Sequence, residues 1–169
     1  MEIALRNACH RELSALFGPT WPNDSRFLAL DPRTAQAIDT AREHLRRLRL
    51  PIDTPHMVAE LAFGFWTNLF GHRFDRAVWV PGLYRVFPRF RRATGTPLSR
   101  SAVARRFDYL RTLRNRIAHH EPIFTRSLAE DYESLLEVAD WMYPDLRVWI
   151  ENVSTCNAII AARPPIAPG

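Results

Sequence analysis

Apolar residues recur along the chain at helical spacing, and no stretch alternates apolar and polar positions as a half-buried strand would. The pattern predicts an all-α bundle. Ile3, Leu5, Leu13, Leu16 and Phe17 mark a first helix over Met1 to Phe17, which Gly18-Pro19 stops. It begins abruptly, with no capping residue ahead of the apolar pattern. Thr20 to Leu30 reads as a loop, and Asp31 with Pro32 makes the cap-then-proline start of a helix that runs to Leu50. On this helix Ala37, Ala41, Leu45 and Leu48 share one side. Arg42, Arg46 and Arg49 form a basic row, either facing phosphates or simply solvated, with Glu43 and Arg47 as an ordinary i,i+4 pair.

Thr54 and Pro55 repeat the cap-then-proline start, and the following HMVAELAFGFWTNLF is apolar almost all round, which makes it the expected central helix. Gly64 inside it costs about 1 kcal/mol against alanine, so close packing with a neighbour is expected there. Glu60 and Asn68 on so apolar an element each need a polar partner. Phe74 to Gly95 is more broken. Its stretch from Tyr84 to Arg92 interleaves Tyr84, Phe87 and Phe90 with Arg85, Arg89, Arg91 and Arg92, a mixture able to hold phosphates and stack bases. The plain alternative makes the aromatics core and the arginines solvated. Ser99 then caps a long helix that ends near His120, Ser127 and Glu130 form a capping box for a helix through Trp141, and Pro144 starts a short helix toward Asn152. These elements make one domain over residues 1–152, followed by a tail over 153–169 whose end, ARPPIAPG, reads as frayed.

Composition narrows the chemistry. The chain has 169 residues, a net charge of +5 and 47% hydrophobic residues, enough for one real core. All 23 basic residues are arginine, which suits phosphate contacts but equally reflects a coding bias. The absence of lysine removes P-loop, Schiff-base and protein-kinase chemistry. Cys9 and Cys156 form no CxxC pattern, so neither a disulfide framework nor a zinc site is indicated and a reduced, cytoplasmic setting is expected. No apolar run is long enough to span a bilayer, so no membrane partner is expected.

The candidate chemistry sits in Leu110 to Phe124, LRTLRNRIAHHEPIF. On a helical wheel Val103, Phe107, Leu110, Leu113 and Ile117 fall on one arc, the expected core face. Arg111, Asn115 and His119 share the opposite arc, with Arg114 at its border and His120 beside Leu113. The residue before Pro122 avoids the α region, so both imidazoles belong at the negative end of the helix dipole. Imidazole beside guanidinium is the minimum equipment for metal-free RNA cleavage: a histidine moves protons and an arginine holds the phosphate. By this geometry His119 is the reactive imidazole and His120 a supporting one. The HHE triplet lacks metalloprotease spacing, and no serine sits in a nucleophile elbow. The plain alternative is a helix end with two structural histidines.

Arg114-Asn115-Arg116-Ile117-Ala118-His119 resembles the Arg, four to six residues, His signature of the HEPN superfamily. With EIALRNA near the start and LAFGFWTNLF in the middle, it is similar to the Abi-like branch of bacterial abortive-infection proteins. The resemblance implies an all-α HEPN bundle and a metal-independent endoribonuclease, needing no cofactor, that leaves a cyclic phosphate. It implies a homodimer whose two motifs meet in one RNA-cleaving groove and a toxin or antiviral role, with silencing by an antitoxin protein or small RNA permitted by the wider superfamily. Arg114 and His119 then carry the chemistry, Asn115 orients, His120 assists, and Arg111, Arg116, Arg85, Arg89, Arg91 and Arg92 are the candidate RNA contacts. Abi-like proteins carry a helical segment ahead of the EIALRNA block, so this chain reads as a short member or as one whose start lies upstream. Arg6, Asn7 and His10 echo the motif but with a spacing of three, and read as packing and polar contacts, with lining of the site as the alternative. Two other readings are a non-catalytic RNA-binding or regulatory HEPN module and a purely structural oligomerisation bundle.

Overall fold

The computed structural model describes residues 1–162, the Arg92 side chain excepted; most of the ARPPIAPG end lies outside the described residues. They form an all-α structure with no strand among them. Helix α1 (Glu2–Phe17) is followed by a 3-10 turn at Trp21–Asn23, α2 (Ser25–Leu28), α3 (Pro32–Arg47), α4 (Thr54–Glu60) and α5 (Phe63–Asn68). A 3-10 turn at His72–Phe74 and a π-helical segment at Asp75–Trp79 lead into α6 (Val80–Val86) and α7 (Phe90–Thr94). The long α8 (Arg100–Ala118), α9 (Leu128–Met142), α10 (Pro144–Val153) and α11 (Cys156–Ala161) complete it. Among the described residues no helix is long and apolar enough to cross a membrane.

Capping explains several boundaries. Asp31 accepts the Thr34 N–H at 3.1 Å and Pro32 occupies the first turn of α3, as the sequence predicts. At α4 the cap is Asp53, which accepts the His56 N–H at 2.9 Å, while the Thr54 hydroxyl donates to the Pro19 carbonyl. Ser99 and Ser127 stand at the N-caps of α8 and α9 without a side-chain cap bond, so no capping box forms at Ser127.

The core is aromatic. Trp21, Trp66, Trp79, Phe70, Phe87 and Phe107 are essentially inaccessible, and Phe70 stacks on Phe107 at 5.3 Å and 10° and on Trp79 at 4.6 Å. Helix α8 buries Val103, Phe107 and Leu110 against α5 and α9, α1 packs on α5 and α6, and α9 carries α7, α10 and α11.

Several expectations are corrected. The apolar run from His56 to Phe70 is two helices rather than one, because Leu61 and Ala62 are both extended (ψ 122 and 161). The break lets the Leu61 carbonyl accept the Trp66 indole N–H at 3.1 Å, a partner it would lack in a continuous helix. Gly64 is not pressed against a neighbour: a Cβ there would meet nothing within 4 Å. Asn68 is exposed, whereas Glu60 does find a partner in His44. Thr20 to Leu30 is largely helical turns and buries Trp21 and Phe27. Ile3, Leu48 and Ile117 are exposed instead of core, while Leu16 and Phe17 are partly buried against it. Glu43 pairs with Arg46, not Arg47.

Candidate functional site at the end of α8

The apolar stripe of α8 stops being buried at Leu110, two turns before the helix ends. Leu113 is half-buried and Ile117 is 53% exposed, so the wheel continues but the neighbouring helices do not. The motif therefore stands on a helix anchored at one end and solvated at the other.

The end of α8 closes by a Schellman motif. The His120 N–H donates to the Ile117 carbonyl at 3.1 Å, and the Glu121 N–H donates to the Arg116 carbonyl at 2.8 Å. This closure needs a left-handed residue, and His120 takes it with φ 56 where glycine or asparagine is usual, a strain of about 1–2 kcal/mol. Arg49 (φ 55) does the same at the end of α3, where the Leu50 N–H bonds the Leu45 carbonyl. The left-handed histidine is thus first a capping solution. Both imidazoles, of His119 at the cap and of His120 beyond it, are exposed.

Around them, the Arg114 Nε lies 3.7 Å from Glu2 Oε2 on the first turn of α1, with the Arg114 side chain 48% exposed. Arg116 lies 3.9 Å from Glu121, a loose pair. Arg111 donates to Asp108 at 3.0 Å, and its Nε is buried without an acceptor. Asn115 is exposed. The His119 N–H donates to the Asn115 carbonyl at 2.9 Å, but among the described residues no side-chain hydrogen bond joins Arg114, Asn115, His119 or His120 to one another. At 3.6 residues per turn, Arg114 and His119 are about 140° apart around α8. One chain thus presents the guanidinium and the imidazole on adjacent faces without closing a cleft between them.

The basic and aromatic stretch is built differently from a stacking surface. Phe87 and Phe90 are core, with Phe90 packed on Trp141 at 4.6 Å, and only Tyr84 is exposed. Arg85 holds the buried Glu12 carboxylate, donating from Nε at 2.7 Å and from Nη2, and its guanidinium pKa is raised by those bonds. Arg89 pairs with Asp140 at 3.3 Å. Arg91 is exposed, and the Arg92 side chain lies outside the described residues. Sequence reasoning missed a groove of about 850 Å³ between α3 and the α4–α5 break, which contains the His44–Glu60 pair. Only the need of Glu60 for a partner pointed toward it. Among the described residues no group of three or more His, Cys, Asp and Glu side chains is placed to hold a metal ion. Comparison of the chain with protein-family models, curated proteins and solved structures finds no match.

Proposed function

We propose that this chain is a metal-independent endoribonuclease of the HEPN type, acting in an abortive-infection or toxin role, with Arg114 and His119 as its catalytic pair. The observation that carries this reading is the end of α8: two exposed imidazoles and one half-exposed guanidinium on a helix whose other half is fixed in the core. In the reaction the 2′-oxygen attacks the adjacent phosphorus as the P–O5′ bond breaks. One imidazole takes the 2′-proton, another protonates the leaving 5′-oxygen, and the products are a cyclic phosphate and a 5′-hydroxyl. Arg114 holds the charge that develops on the phosphoryl oxygens.

A second copy of the chain completes the site in this reading. Arg114 and His119 diverge on one helix, and Ile3, Ile117 and Phe124, exposed by 63, 53 and 61%, supply apolar surface on and beside the motif-bearing elements. Binding without cleavage is favoured instead by the lack of contact between Arg114 and either imidazole within one chain. The test is cleavage of labelled RNA in excess EDTA by wild type, Arg114→Ala and His119→Ala, each checked for helicity. The proposal expects each substitution to slow cutting by about 10²–10⁴-fold. If wild type binds RNA but does not cut it, the chain is a binding module.

A further inference from the structure

We infer that the groove along α3 is a track for the RNA strand whose cleavage is proposed above. The inference rests on that reading for the identity of its ligand. Arg33, Ala37, Thr40, His44 and Arg47 follow one another at spacings of four and three, so they form a single stripe of α3, and all line the groove. The opposite wall is made by the Leu61–Ala62 break and by residues up to Phe74, including Arg73.

Charge within the groove is unevenly compensated. Asp31 is spent on capping Thr34 and on Arg73 at 3.3 Å, and Glu60 is spent on His44 Nδ1 at 2.6 Å. Arg33 and Arg47, both exposed, form no ion pair among the described residues. They stand fourteen residues apart on one helix, about 21 Å at 1.5 Å per residue. A small anion sits at one or the other; an extended polyanion passes both. The length suits the lower end of the roughly 4–16 nucleotides that single-strand grooves hold.

The groove is also connected to the end of α8. Glu2 on the first turn of α1 meets Arg114, and Arg6, one turn later, donates to the carbonyl of Ala59, the neighbour of groove residue Glu60. The first two turns of α1 therefore touch both the motif-bearing helix and α4 beside the groove.

Fluorescence anisotropy of a labelled, unstructured RNA of roughly 12 nucleotides in EDTA, over a salt series, tests this. Each single-strand phosphate contact contributes about 0.7 to the salt slope, so Arg33→Ala/Arg47→Ala is expected to flatten the slope by about 1.4 and to weaken binding on the order of tenfold. Arg76→Ala/Arg105→Ala removes the same charge from exposed positions outside the groove and should change binding little. Wild-type affinity and slope in the groove variant overturn the track, as does equal weakening by the control pair. Full displacement of RNA by 5′-AMP or by polyglutamate at comparable charge concentration also overturns it, identifying a nucleotide pocket or an acidic-peptide site. These outcomes separate the two proposals: loss of binding in the groove variant with no cutting by wild type sinks the nuclease and leaves the track, while cutting with an unaffected groove variant does the reverse.

Discussion

A side chain at Gly82 would collide with Glu12, and replacing the glycine by alanine reads out the ion pair between buried Glu12 and half-exposed Arg85 that joins α1 to α6. A Cβ at this position would lie 2.6 Å from Glu12 Cδ and 2.9 Å from Cγ, well inside van der Waals contact. Glu12 has nowhere to go, being 4% exposed with both carboxylate oxygens held by Arg85. Gly82→Ala therefore displaces the buried carboxylate from its counter-ion, at a cost below the ~3–5 kcal/mol of breaking a fully buried pair, because the Arg85 side chain is 42% exposed. The better helix propensity of alanine offsets about 1 of this, for a net loss of about 1–3 kcal/mol. In a chain of 169 residues each kcal/mol moves the melting temperature by about 2–4 °C, so a fall of about 6 °C is expected. Urea unfolding followed by helical circular dichroism measures it, with an unchanged m-value as the check on two-state behaviour. Glu12→Ala/Gly82→Ala should recover part of the loss, because the carboxylate that collides is gone and the Arg85 side chain, 42% exposed, can turn to water. The reasoning is refuted if Gly82→Ala is as stable as wild type, or if the two substitutions simply add.

Two further perturbations follow from the same geometry. His120→Gly should raise the melting temperature by about 2–4 °C by relieving about 1 kcal/mol of left-handed strain, and should slow RNA cutting if that imidazole assists; a lower melting temperature would contradict the Schellman closure. Asp131, 3% exposed, is bonded by Arg126 at 2.8 Å and by the Tyr109 hydroxyl, and its carboxyl pKa is held below the ordinary 3.8, chiefly by the Arg126 hydrogen bonds. Because the folded value is depressed, its stabilisation is complete above the ordinary carboxylate range and is lost as pH falls through the folded value. Wild type should thus lose stability more steeply than Asp131→Asn as pH falls below the ordinary carboxylate value of 3.8, followed by urea titration, and parallel profiles would refute the assignment.

What was legible in the sequence was local. Asp31-Pro32 fixes the start of α3 through chemistry contained in four residues, and the arc of Val103, Phe107 and Leu110 gives the buried face of α8. The break at Leu61–Ala62 was hidden because no proline or glycine stands there; it answers to the indole of Trp66, a tertiary partner for a backbone carbonyl. Ile117 continues the apolar arc, yet burial needs a neighbour as well as a period, and the neighbours end first. The aromatic company of Arg85 suggests a phosphate contact, but its partner is Glu12, 73 residues away and beyond any local pattern. For the candidate site, sequence reasoning located the helix and its exposed end; the pairing of His44 with Glu60 and the groove around them depend on two helices meeting, which spacing does not encode.

The overhanging end of α8 implies a graded resistance to hydrogen exchange along one helix. Amides near Val103, Phe107 and Leu110 open only when the whole core opens, whereas those from Arg114 to Glu121 can open by fraying two turns that bury little apolar surface. Substitutions in that end draw on a separate and smaller reserve of stability than the core does. The motif is therefore free to vary, or to be ordered by whatever it binds, at little risk to the fold that carries it.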